Sequence, residues 1–128
     1  MQIKLLKDVK VEKMTELLNK VGVDKTCIND FIEKMVYLHI YIENLKPAAA
    51  NIIKQTMLSV GSDAAVNRGA INCSVEYSDC LIFGSIKQIK QAAIKLEKQP
   101  FGLKEVSKKI LSLLEEYEND CIYPYSKE

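Results

Sequence analysis

One residue in this sequence stands out as a candidate for binding chemistry. Arg68 is the single arginine of the chain, against seventeen lysines. A planar guanidinium can form two parallel hydrogen bonds with a carboxylate or a phosphate, and the ammonium of a lysine does not match that geometry. Two interpretations follow. Arg68 either binds an anionic ligand, or forms an internal ion pair with Asp63, Glu76 or Asp79 that fixes a turn.

The helix predicted just before Arg68 supplies candidate co-ligands. Asn51 and Lys54 lie on the polar side of that helix, and Gln55 is a weaker candidate on the same side. The predicted ligand-binding set is therefore Arg68, Lys54 and Asn51.

Residues for acid–base or nucleophilic catalysis are scarce. His39 is the only histidine, and it alternates with apolar neighbours, which favours a partly exposed strand histidine over a general base. Asp63, Glu76 and Asp79 flank predicted strands, where turns commonly place an acid, and nothing in the sequence brings two of them together. The glycine-rich patterns that cradle phosphates are absent. We therefore predict no catalytic residue.

The cysteines do not have the spacing of a metal site. Cys27, Cys73, Cys80 and Cys121 contain no C-x-x-C pair, and only His39 could join them as a ligand. The sequence predicts no metal site and no cofactor. We expect the thiols to be reduced, as in a cytoplasmic protein.

Composition and charge are those of one globular domain. The chain has 128 residues, is 48% apolar and 27% charged, and has a net charge of +1. A charge so close to zero argues against nucleic acid or an acidic membrane as the partner, and the lysines between 87 and 109 are typical of solvated helix faces. No segment approaches the ~20 apolar residues that cross a bilayer, and no targeting segment is recognised at the start. A cytoplasmic location is expected.

Strand and helix patterns are clearest before and after Pro47. Residues 37–45 alternate between polar and apolar, as in a strand with one buried face. Pro47 suits the first turn of a helix, apolar residues then recur at three- and four-residue spacing, and Gly61 supplies a left-handed stop.

The segments that follow predict further strands. Residues 64–66 complete a short βαβ unit, and an extended pattern resumes over 70–75. Residues 80–83 form a continuous apolar run, which predicts a strand buried on both faces. Ser85 is a candidate N-cap for a helix over 86–98.

The remaining segments complete the predicted fold. Residues 3–6 could form an opening strand, 11–21 and 103–117 predict helices, and 23–35 fits a short helix or an irregular crossover. Strands near residues 3, 38, 64, 71 and 81, interleaved with helices, predict a two-layer α/β (α+β) domain. Its sheet would be mixed, helices would cover mainly one face, and a ferredoxin-like arrangement is the first topology considered. The domain is predicted to span 1–118, followed by a loose tail over 119–128.

Three separated blocks carry a family resemblance. The runs AAANIIKQTMLSVGSDAAVNRGAI, YSDCLIFGSIKQ and KQPFGLKEVSKKI are similar to the N-terminal extension that precedes the pterin-binding barrel in one group of bacterial dihydropteroate synthases. The resemblance covers residues 37–110. The tail NDCIYPYSKE departs from it, since it does not run visibly into a barrel strand.

This resemblance implies a role in folate biosynthesis without carrying over any catalytic residue. The reacting groups of that family belong to the barrel, which needs about 250 residues and cannot fit in this chain. The implied function is a non-catalytic accessory domain that acts as a scaffold or a dimerisation module. Its partner would be a pterin-binding barrel in cis or in trans, or a second copy.

Two other functions remain open. The first is a binding or sensing domain for a small pterin-type anion, using Arg68, Lys54 and Asn51. The second is nucleic-acid contact through the lysines of residues 87–109, which the near-neutral charge disfavours.

Overall fold

A computed structural model of the protein describes residues 1–122. Within that range the chain forms five α-helices and three β-strands. In chain order these are α1 (Val11–Val21), α2 (Ile28–Met35), β1 (Tyr37–Leu45), α3 (Pro47–Ser59), β2 (Asp63–Val66), β3 (Ser78–Ser85), α4 (Ile86–Leu96) and α5 (Leu103–Tyr117). A short 3-10 turn, Lys25–Cys27, precedes α2, and a π-helical turn, Glu118–Ile122, follows α5.

The three strands form one sheet in the order β1–β3–β2. Both neighbouring pairs are antiparallel, and in their registers Ile82 of β3 lies between Ile40 of β1 and Ala64 of β2. The outer strands β1 and β2 are therefore parallel to each other, with β3 between them, so β1, α3 and β2 form a split βαβ unit. The prediction of a two-layer α+β domain is confirmed, although the sheet has three strands and only antiparallel pairs within the described residues.

One face of the sheet is covered by helices. Along β1 the side chains alternate between half-buried and exposed, as the period-two pattern predicts. The half-buried residues pack on a core formed by the inner face of the sheet and by α3, α4 and α5. Fully buried members of this main core are Ala49, Ile53, Met57, Ala64, Cys80, Ile82, Ile89, Ala92, Ala93, Leu96, Leu103, Ile110 and Leu114.

A second, smaller hydrophobic cluster holds the two N-terminal helices. Val11, Met14 and Leu18 of α1 meet Ile32 of α2 in this cluster. Three further residues join them, namely Val36, Ile86 and Ile122.

Helix α4 contributes to both hydrophobic clusters. Ile86, at its start, is buried in the second cluster, whereas Ile89, Ala92, Ala93 and Leu96 are buried in the main core. The Ser85 hydroxyl accepts a hydrogen bond from the Gln88 amide, and the Gln88 side chain accepts one from the Ser85 amide. This capping box confirms the predicted N-cap and fixes where the helix begins.

Two predicted strands are wrong. Residues 1–7 form no strand, and Ile3 and Leu5 are exposed. The segment 70–75 forms turns, because the Ser74 amide donates to the Gly69 carbonyl instead of joining a ladder.

The end of the described chain differs from the expected loose tail. Residues 119–122 are helical, and Ile122 is buried. The rest of the predicted tail, 123–128, lies outside the described residues. Within residues 1–122, no helix has the length and apolar character to cross a bilayer.

An ion-pair network joins α2, α4 and the π-helical turn. Lys90 Nζ lies 2.5 Å from Glu33 Oε1 and 2.6 Å from Glu118 Oε1, and the Glu118 side chain is only 5% exposed. Burial by itself lowers the pKa of Lys90, but the hydrogen bonds with Glu118 and Glu33 outweigh that effect and leave the pKa raised. Lys90 therefore stays charged and holds three elements together.

Replacing Lys90 by Met should destabilise the protein. Removing one partner of a buried ion pair costs about 3–5 kcal/mol, because the remaining charge stays desolvated. Lys90 is one-third exposed, so we expect a loss of about 2–3 kcal/mol in the free energy of unfolding, measured by urea denaturation.

Lys87→Met is the matched control. Lys87 also reaches from α4 to α2, where its Nζ lies 3.0 Å from Asp30 Oδ1, but the Asp30 side chain is 52% exposed, whereas Glu118 is buried. Such surface pairs contribute about 0–1 kcal/mol. Equal losses for the two variants would contradict a special role for the Lys90 network.

Candidate functional site

Lys54, one of the predicted ligand-binding residues, is engaged within the fold. Its Nζ lies 2.8 Å from Asp63 Oδ1 and 2.9 Å from the Ala64 carbonyl oxygen. These two bonds attach α3 to the start of β2. The hydrogen bond from Lys54, followed by that from the Ala64 amide, holds the pKa of the Asp63 carboxyl below its ordinary value.

Asn51 is engaged in a similar way, one turn earlier on α3. Its Nδ2 donates to the Ala70 carbonyl oxygen at 2.8 Å, which anchors the loop between β2 and β3. Gly69 in that loop is tightly enclosed, because a Cβ there would lie 2.6 Å from Ser74 Oγ. Asn51 thus positions a compact turn.

Arg68 lies on the surface of the same loop. Its side chain is exposed. Among the described residues it forms no ion pair with Asp63, Glu76 or Asp79. The internal ion pair that the sequence allowed is therefore not present, and Asp63 is paired with Lys54 instead.

A groove between α3 and α4 brings together other polar residues of the predicted site. It has a volume of about 670 Å³ and includes Asn51 and Gln55 from α3, together with Lys95 and Lys98. Lys95 Nζ lies 3.0 Å from Ser59 Oγ. Neither Arg68 nor Lys54 lines this groove, so the predicted three-residue set does not meet there.

The most distinctive exposed surface is the uncovered face of the sheet, which we call the open face. The Tyr37 and His39 rings on β1 lie 5.6 Å apart, edge to face, and Phe83 on β3 stacks on Tyr37 with a centroid distance of 6.5 Å. The prediction that His39 is a partly exposed strand residue agrees with this position. Its neighbours are the rings of Tyr37 and Phe83, and no carboxylate of residues 1–122 is hydrogen-bonded to it.

The far end of the open face is polar. The Tyr41 hydroxyl donates to Asp79 Oδ2, and Asp79 Oδ1 accepts the Asn44 amide at 3.0 Å. The hydrogen bond from Tyr41, and to a smaller extent that from the Asn44 amide, hold the pKa of Asp79 below its ordinary value. The same bond to Asp79 raises the pKa of Tyr41. A cavity of about 550 Å³ adjoins them and includes Tyr77 and Leu81.

The open face contains two residues that the sequence analysis placed in a buried environment. Leu81 and Phe83 belong to the continuous run 80–83, which predicted a strand buried on both faces, and in the structure both are only partly buried. That prediction is wrong for this face, because the helices pack on the opposite side. The alternation of Tyr37, His39 and Tyr41 was the available signal for an exposed aromatic row.

Reactive groups do not converge within the described residues. No three His, Cys, Asp or Glu side chains of residues 1–122 cluster as metal ligands would. Burial raises the pKa of the Cys80 thiol to about 11, so that thiol is a poor nucleophile at neutral pH.

Comparisons with known proteins link the chain to one enzyme. It is 30% identical over 110 residues to a bifunctional dihydropteroate synthase/dihydropteroate reductase from Helicobacter pylori (strain ATCC 700392 / 26695). The match covers 86% of this chain but only 29% of that enzyme. The chain is thus a distant, partial homologue of a folate-pathway protein. No protein-family model matches the sequence, and no solved structure matches it significantly.

Replacing Lys54 by Met tests whether Lys54 acts within the fold. A carboxyl whose folded-state pKa is depressed stabilises the protein above its unfolded pKa, and this stabilisation is lost as the pH falls through the folded pKa. In Lys54→Met the pKa of Asp63 should rise towards its ordinary value, so the acid-dependent part of stability should shrink. An NMR titration of the side-chain carboxyl carbon measures the shift.

Lys95→Met serves as the control, because Lys95 contacts the Ser59 hydroxyl and forms no ion pair with a carboxylate of the described residues. It should leave the titration of Asp63 unchanged. An Asp63 pKa that does not move in Lys54→Met would contradict the structural role of Lys54.

Proposed function

We propose that this chain is a non-catalytic companion domain of a dihydropteroate synthase in folate biosynthesis, acting as a scaffold for the catalytic barrel in cis or in trans. The observation that carries the proposal is the extent of the match to the Helicobacter pylori enzyme. Nearly the whole chain corresponds to less than a third of that enzyme. A synthase barrel needs about 250 residues, so the groups that act on the pterin would lie in another segment.

The placement of the ionisable side chains supports a non-catalytic role. Asp63 is paired with Lys54, Asp79 is bonded to Tyr41, and His39 lies among aromatic rings. General acid–base catalysis needs such groups within hydrogen-bond reach of each other or of a bound substrate. In the described residues, the Lys54–Asp63 pair instead connects α3 to β2, and the Tyr41–Asp79 bond connects β1 to β3.

The open face is the surface that we propose for the barrel. The run 80–83 has the composition of a strand covered on both sides, but helices cover only one side of β3. Tyr41 is 60% exposed on this face, beside the partly buried Leu81 and Phe83. An aromatic and aliphatic patch of this kind is typical of a protein-binding surface.

The purified chain should form no dihydropteroate and should reduce none, and it should bind the part of a homologous synthase that lies outside the matched region. Titration calorimetry measures the binding, and Tyr37→Lys should weaken it at least tenfold, because Tyr37 is 55% exposed on the open face and a charge there would be buried in the contact.

Phe101→Lys is the matched control, since Phe101 is 62% exposed and lies in the turn between α4 and α5, outside the sheet. It should bind as the wild type does. Turnover by the isolated chain would end the companion-domain proposal. If both variants weakened binding equally, the open face would not be the surface that binds the barrel.

A second candidate function is the binding of a small pterin-type anion by Arg68, Lys54 and Asn51. One observation favours it: the exposed Arg68 guanidinium has no ion-pair partner among residues 1–122. Lys54 and Asn51 would have to bind the ligand while keeping their bonds to Asp63 and to the Ala70 carbonyl. This makes the candidate weaker than the companion domain.

Titration of the chain with a pterin pyrophosphate decides between the two. If Arg68 binds the anion, Arg68→Ala should remove the binding while the thermal unfolding midpoint stays unchanged. Lys98→Ala, in the α3–α4 groove, provides the comparison. Loss of binding in Lys98→Ala alone would place the ligand in that groove, and no binding by the wild type would leave only the scaffold role.

A further inference from the structure

Residues 2–6, which we call the arm, have a strand-forming pattern without a strand partner. Ile3 and Leu5 occupy alternate positions with Lys4 between them, and their side chains are 87% and 83% exposed. Isolated exposed aliphatic residues are common. Alternation of aliphatic and polar residues, however, is typical of a β-strand with one buried face, so this segment could pair with the edge of a sheet.

The sheet has a matching open edge. β1 pairs with β3 on one side only, and no described strand lies on its other side. At nine residues, β1 is also the longest strand of the sheet. A long edge with unpaired backbone groups is a template for an added strand.

An apolar groove runs along this edge, between β1 and α5. It has a volume of about 370 Å³ and includes Ile40 and Ile42 of β1 and Val106, Ile110 and Leu113 of α5. Leu113 is 38% exposed there. A strand added beside β1 would direct every second side chain into this groove.

We propose that the arm of a second copy adds to β1 as a fourth, antiparallel strand, with Ile3 and Leu5 in the groove between β1 and α5. Five extended residues span about 17 Å, the length of an equal number of β1 residues. Lys4 would then lie on the open face, which also carries the acidic side chain of Glu43. In such a dimer, the arm of each copy would pair with β1 of the other copy.

The conformation of the chain just after the arm favours a second copy over the arm's own sheet. Asp8 has a φ of +52°, in the left-handed region, where aspartate is found more often than most residues other than glycine. Asp8 and Val9 lie near Tyr37, at the start of β1, yet the arm itself remains exposed. To pair with β1 of its own chain, the arm would need a different backbone conformation at Asp8. In a symmetric dimer, each arm would instead pair with β1 of the other copy, so that both β1 edges gain a partner strand.

Sedimentation velocity of the full chain across a dilution series tests this proposal without any synthase present. The wild type should dimerise, and the double variant Ile3→Lys/Leu5→Lys should dissociate at least tenfold more readily. The control Val21→Lys/Ile71→Lys changes two other aliphatic side chains, each 78% exposed, and should dimerise like the wild type. A monomeric wild type, or a dimer unaffected by the arm variant, would overturn the proposal.

A cross-linking experiment identifies the edge that receives the arm. A photoreactive phenylalanine analogue at position 5, in an equal mixture of ¹⁵N-labelled and unlabelled chains, should join the arm to β1 in mixed-isotope pairs. Cross-links confined to single-isotope pairs would show that the arm contacts its own chain. Cross-links to another element would exclude the β1 edge, and either result would contradict the exchange.

Discussion

Burial of a single helix, α4, between two hydrophobic clusters is the constraint on which the rest of the fold depends. Its first residue, Ile86, is part of the cluster that holds α1 and α2, and Ile89, Ala92, Ala93 and Leu96 belong to the main core under the sheet. Burying apolar side chains is the main favourable term in folding, at roughly 25 cal/mol per Å². α4 therefore connects two packing units that otherwise share few residues.

The Lys90 network gives this connection its specificity. Hydrophobic contacts fix how much surface is buried, but they depend little on orientation. The distances from Lys90 to Glu33 and Glu118 fix how α2 and the turn after α5 sit against α4. A buried carboxylate such as Glu118 is tolerated only where a charge and hydrogen bonds compensate for its lost hydration.

Because the helices pack on one face of the sheet, the other face stays accessible. Helices fill the inner side of the sheet, so the aromatic residues of β1 and β3 are left on the open face. Within the described part of the chain, one edge of β1 has no neighbouring strand. On α3 the polar side chains of Asn51 and Lys54 hold the loop and β2 in place. The proposed contact with another polypeptide rests on this exposed aromatic surface, and the partial match to a longer enzyme motivates it.

The sequence by itself determined α1, α3, α4 and α5, the positions of the three strands along the chain and the alternation along β1, because these follow from side-chain periodicity, capping and the special torsions of proline and glycine. It could not decide whether residues 3–6 and 70–75 would pair, since a strand needs a partner from elsewhere in the chain. Tertiary structure alone decided that Asp63 pairs with Lys54 and not with Arg68, and that Phe83 lies on an uncovered face. Both outcomes depend on which elements meet in space, and that is set by the packing of α3, α4 and α5 on one side of a three-stranded sheet.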